Sequence, residues 1–202
     1  MKTNKVVVSS NGRGMADALD EVESFSRSMG FDERSSRRAR LLAEETMSMV
    51  RSIVEDFEAD FWMESTEECS CELHLLAVAD MDYKKKQDLI IASTRQRNEA
   101  SVGIMGKIKD FIEGSLFYLG RGGAMSSEDP RLVGCATFAE IQMWTLHQYR
   151  DYLEQEQDEG EDMDALLDEL EKSIVANIAD DVRVSVKGND IELVIRKNFP
   201  VK

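Results

Sequence analysis

Between residues 15 and 29, Ala16, Leu19, Val22, Phe25 and Met29 recur every three or four positions, the spacing of one face of a helix. Gly30 supplies a stop, and Asp32 or Ser35 a cap for a second helix. In that helix Ala39, Leu42, Ala43, Thr46, Val50, Ile53 and Phe57 share a face. The period then falls to two. Phe57, Ala59, Phe61 and Met63 lie on one side of a strand over 57–65, and SCELHLLAVA, 70–79, forms a second strand that ends at Asp80. Thr66-Glu67-Glu68 joins them as a hairpin-like connection. A short strand over 5–8 and a turn, Ser9-Ser10-Asn11-Gly12, precede the first helix.

Further along, the pattern predicts a helical region over 83–118, bent near Gly103 and Gly106, and a loop over 119–135. A helix over 137–156 follows, carrying Phe138, Ile141, Trp144, Leu146, Tyr149 and Leu153, then an acidic stretch at 154–164 and a helix over 164–178. The chain closes on a hairpin. Val182, Val184 and Val186 alternate with Arg183, Ser185 and Lys187; Gly188-Asn189-Asp190 turns; Ile191, Leu193 and Ile195 return on one face. The order is strand, two helices, two strands, helices, two strands. It predicts an α+β two-layer sandwich, a mixed, mostly antiparallel sheet with helices on one face.

Composition narrows the function classes. The 202 residues suit a single domain, and 42% hydrophobic content supports a core. A net charge of -15 disfavours nucleic acid and anionic membrane as partners. Three cysteines, Cys69, Cys71 and Cys135, with no C-x-x-C, point to a reducing compartment. The apolar core of MKTNKVVVSS is too short for a signal peptide, and no run nears the roughly 20 residues that cross a bilayer. The expectation is a soluble cytoplasmic protein with no nucleic acid and no membrane partner.

Several side chains could carry chemistry. Glu44 and Glu45 in LLAEETMSMV read either as a solvated helix face or as holding a catalytic base. Cys69 and Cys71 point to one side of a strand near His74, but fall short of the four ligands of a structural zinc site, which favours buried, reduced thiols. His147 has no second histidine at metal-binding spacing, and Gly120-Arg121-Gly122-Gly123 lacks the flanks of a P-loop. EQEQDEGEDMD does not match a calcium loop and reads as a linker. Arg34, Arg37, Arg38 and Arg40 form a basic cluster, either a solvated face or a docking face for an acidic partner.

The element order and local motifs resemble the GHKL ATPase (Bergerat-like) fold shared by gyrase and sensor histidine kinases, nearest to the small anti-sigma-factor serine kinases. The likeness covers most of 1–112 and 172–199, with 113–171 as a helical insertion in a single domain. Glu44 matches the family's general base, and Ser48 stands where the family has a magnesium-binding asparagine. Asp80 matches the aspartate that reads the adenine amino group, but Met81, Asp82, Tyr83 and Lys84 follow where the family has glycines. Gly103 and Gly106 match the later phosphate-cradling glycine box, with Lys107 beside it. The resemblance implies a bacterial regulatory protein with an eroded ATP site that binds a protein partner such as a sigma factor or an anti-anti-sigma-like protein. The extra helices at 137–178 would add partner or homodimer surface. The alternative is a working serine- or histidine-kinase-type ATPase with ATP and magnesium as cofactors.

Overall fold

In the computed structural model, the described residues are 1–53, 58–65, 70–78, 103–120, 135–138, 141–155, 170 and 173–199. Strands β1 (Val6–Ser9), β2 (Glu58–Glu64), β3 (Ser70–Val78), β4 (Cys135–Phe138), β5 (Ile141–Thr145), β6 (Asp181–Lys187) and β7 (Asp190–Asn198) occur in the order β1-β2-β3-β7-β6-β5-β4. Neighbours whose register is defined pair antiparallel. The helices are α1 (Met15–Ser28), α2 (Glu33–Ile53), α3 (Gly103–Gly120), α4 (Leu146–Gln155) and α5 (Ile174–Ile178). The class is α+β with an antiparallel sheet, as the pattern predicts.

Contacts divide the chain into two compact units. The first comprises 1–78, 174–182 and 192–202. In it α1 packs on β1, β2 and α2, and α2 packs on α5. The period-two reading of β2 holds: Ala59, Phe61 and Met63 are buried on one face. Cys71, Leu73, Leu75 and Ala77 do the same on β3. Ala39, Leu42, Ala43 and Thr46 form the buried stripe of α2.

Local chemistry sets the helix boundaries. Gly14 has φ 75°, and a Cβ there would lie 2.0 Å from the Val7 carbonyl oxygen, so only glycine lets the chain turn from β1 into α1. Gly30, at φ 69°, follows α1, and the Phe31 amide bonds back to the Ser26 carbonyl, closing the last turn. Of the two candidate caps for α2, Asp32 serves: its Oδ1 accepts from the Ser35 amide at 2.8 Å.

The second unit comprises 79–173 and 183–191. In it α3 buries Ile104, Ile108, Phe111, Ile112 and Leu116, and both α3 and α4 pack on β5. Here the chain departs from its predicted pattern. The expected helix over 137–156 is a strand, β5, followed by the shorter α4, and β4 precedes them. Trp144 sits opposite Cys135 on one side and Val184 on the other. Ladder bonds on both edges outweigh a spacing that also fits a helix, and Gln142 and Trp144 are buried at strand period. The predicted stretches 79–102, 121–134 and 156–169 lie outside the described residues.

Candidate functional site

Glu44 and Ser48, four residues apart on α2, are both exposed, opposite the buried stripe. Arg40 Nε donates to Glu44 Oε1 at 3.1 Å, and Arg40 Nη1 to Glu23 Oε1 at 2.6 Å. Gly103 opens α3; Gly106 is buried within it, and Lys107 is half-buried. Asp80 and the following 81–84 lie outside the described residues.

Three of the four arginines predicted as a cluster line a hollow of about 270 Å³ at the start of α2, formed by Glu33, Arg34, Arg37, Arg38 and Leu41. Arg37 pairs with Glu33, one turn back on the helix. Arg40 is taken up by Glu23 and Glu44. Arg34 and Arg38 have no carboxylate partner among the described residues.

A second group lies on the β2–β3 hairpin, on the face away from Phe61 and Leu73. The register sets Trp62 opposite His74 and Glu64 opposite Glu72. The Trp62 and His74 rings stack, with centroids 4.7 Å apart and planes 6° from parallel. Lys2 and Lys5 place their ammonium groups 4.9 and 4.6 Å from the Trp62 ring centre. The residues preceding β1 hold Lys2 there: Thr3 and Met63 bond reciprocally, and the Ser65 amide donates to the Met1 carbonyl.

Three carboxylates surround the imidazole. Glu64 Oε1 is 3.2 Å and Glu72 Oε2 3.6 Å from His74 Nε2; Glu192 Oε1, on β7, is 3.5 Å from Nδ1. His74 is only 6% exposed, yet neither ring nitrogen makes a hydrogen bond. Glu64 Oε2 is paired with Lys2 Nζ at 3.0 Å. That hydrogen bond holds the Glu64 carboxyl below its usual range against the upward push of partial burial.

The expectation of a buried, reduced thiol holds for Cys71. Positions 71 and 74 have opposite parity, so Cys71 lies buried with Leu73 in the core while His74 faces the carboxylates. Burial pushes the Cys71 thiol up to about 12, which makes it an inert core group. Cys69 lies outside the described residues. Glu64, Glu72 and Glu192 were not singled out from the sequence. The signal available was parity: 62 and 64 face 72 and 74 once the hairpin register is known.

Comparison with known proteins finds no family model, no curated protein and no solved structure that matches this chain.

Proposed function

We propose that this is a regulatory protein of GHKL-like fold with an eroded nucleotide site, acting by binding an acidic segment of a protein partner at the arginine-lined hollow of α2. The partner class implied by the resemblance is a sigma factor or an anti-anti-sigma-like protein. The observation that carries the reading is the pair Arg34 and Arg38, without carboxylate partners among the described residues on a chain of net charge -15. An acidic chain that keeps two guanidinium groups beside a hollow presents a forked donor surface suited to carboxylates. The opening strand, two helices and two strands and the closing hairpin support the fold reading, while β4 and β5 depart from the expected order.

The enzyme alternative draws on Glu44 and Ser48 sharing one face of α2. Exposure and the Arg40 pair weigh against Glu44 as a base, because the carboxylate faces solvent and is already engaged by a guanidinium. Titration with Mg-ATP by calorimetry separates the two readings. The binding reading expects no heat and no thermal shift at millimolar nucleotide; saturable binding lost in Asp80→Ala would install the enzyme instead. For the partner surface the probe is a glutamate-rich helical peptide. Binding that falls about tenfold in Arg34→Glu/Arg38→Glu, and weakens with added salt, supports the hollow. Equal affinity in that variant, or no binding at low salt, would overturn it.

A further inference from the structure

We propose that Glu64, Glu72 and His74 form a three-ligand site for a zinc-class divalent cation, with Glu192 beside the ring nitrogen that does not ligate. Three observations converge on it, none of which involves the arginine hollow.

The first is the state of His74. A ring this buried normally finds a partner for each nitrogen. Here both nitrogens are unbonded although three carboxylates stand around them. An imidazolium held by ion pairs would draw at least one carboxylate in line at the short distance of a charge-assisted bond, about 2.7–2.9 Å. The observed separations of 3.2 and 3.6 Å at Nε2 are longer, and neither ring nitrogen makes a hydrogen bond.

The second is the spacing itself. In a tetrahedral zinc site with bonds of about 2.0–2.1 Å, neighbouring ligand atoms lie about 3.3 Å apart, and each sits off the other's lone-pair axis. The Nε2 contacts to Glu64 and Glu72 bracket that value, and the three ligand atoms all lie within 4.8 Å of one another. The position opposite these ligands would be taken by water or a further donor.

The third is the surrounding charge. Glu64 and Glu72 are direct cross-strand partners, an arrangement that is repulsive unless a cation stands between them. Lys2 engages Glu64 Oε2 and leaves Oε1 turned to the histidine. Glu192 Oε1 stands 3.5 Å from Nδ1, not hydrogen-bonded to it, on the side from which a carboxylate can orient an imidazole once a metal binds Nε2. One nitrogen and two carboxylate oxygens suit zinc and its first-row neighbours; calcium and magnesium favour all-oxygen shells with more ligands.

The test is equilibrium dialysis and calorimetry of the full chain with zinc chloride, alongside Glu72→Gln and His74→Gln. The expected result is one micromolar site, weakened at least about tenfold in each variant and several-fold in Glu192→Gln. Glu72→Gln is isosteric on a half-buried side chain, so it keeps the measurement decisive if His74→Gln fails to fold. Cobalt(II) in a Trp144→Phe background should quench Trp62 fluorescence, because Trp62 stacks on the ligating ring. No binding tighter than millimolar, or equal affinity in the variants through acidic residues elsewhere, would overturn the site.

Discussion

The β2–β3 hairpin has two faces built by opposite rules. On one, Ala59, Phe61, Met63, Cys71, Leu73, Leu75 and Ala77 are all buried and apolar, and α1 covers β2. On the other, Trp62 and His74 are nearly as buried, yet three carboxylates and two lysines surround them. Among the described residues, four buried side-chain polar atoms lack a hydrogen bond, and three of them, Trp62 Nε1 and both His74 nitrogens, lie on this second face. The first face is what folding requires. The second spends burial on polar atoms without pairing them, and such departures concentrate where a site is built.

The largest effect should come from breaking the apolar face. Phe61 is fully buried, and Phe61→Ala removes its transfer energy and leaves a cavity, an expected loss of about 3–5 kcal/mol in urea unfolding. Zinc affinity per folded molecule should change far less, because the ligands sit on the other side of the strands. A large affinity loss in folded Phe61→Ala would show that the two faces are not separable.

A smaller effect is tied to pH on the same apolar face. Burial raises Cys71 from an ordinary 9.0 to about 12. The raised value means that the stability it contributes is full below pH 9 and is lost as pH rises toward the folded value. At about pH 10.5 the expected loss is about 2 kcal/mol, absent in Cys71→Ala. In a Cys69→Ser/Cys135→Ser background the native protein should resist a thiol reagent at about pH 8 and react on unfolding. Fast native labelling would contradict the burial argument.

Much of the first face was legible in the sequence, and little of the second. Phe61 and Met63 announce their side by period two, and Val182, Val184 and Val186 do so in the last hairpin, because alternation is written locally. Gly30 and Asp32 were legible for the same reason: caps act over three or four residues. The strand β5 was hidden because Phe138, Ile141 and Trp144 fit a helical spacing, and only pairing with β4 and β6 decides against it. The carboxylate site was hidden more deeply. Glu64 meets Glu72 through register, and Glu192 reaches His74 through the strand order, neither of which is a property of any short stretch. Glu44, singled out from its local stretch, is exposed on α2 and paired with Arg40.

On the second face, replacing the polar ring should raise stability while removing the ligand. His74→Phe keeps a flat ring against Trp62 and deletes two unpaired buried nitrogens. An unsatisfied buried polar group costs about 1–3 kcal/mol, so the metal-free variant should be more stable by about 1 kcal/mol in chelator, with zinc binding abolished. A destabilised variant would mean that the carboxylates hold an imidazolium after all.

The smallest effect belongs to Lys2, at the rim of that face. Its ammonium is half exposed, so Lys2→Ala should cost only about 0.5 kcal/mol at about pH 7, and less in high salt. The pH dependence carries the information. Lys2 holds Glu64 below its ordinary 4.5, so the stability from that bond is present above 4.5 and is lost as pH falls through the lowered folded value. The wild-type and Lys2→Ala unfolding curves should therefore differ near neutrality and converge in acid. The same substitution removes a positive charge that competes for Glu64, so zinc should bind several-fold more tightly while the fold weakens. If Lys2→Ala lowered both stability and zinc affinity, Lys2 would be a positioning residue for Glu64 rather than a competitor, and the second face would need its lysines to hold the carboxylates in place.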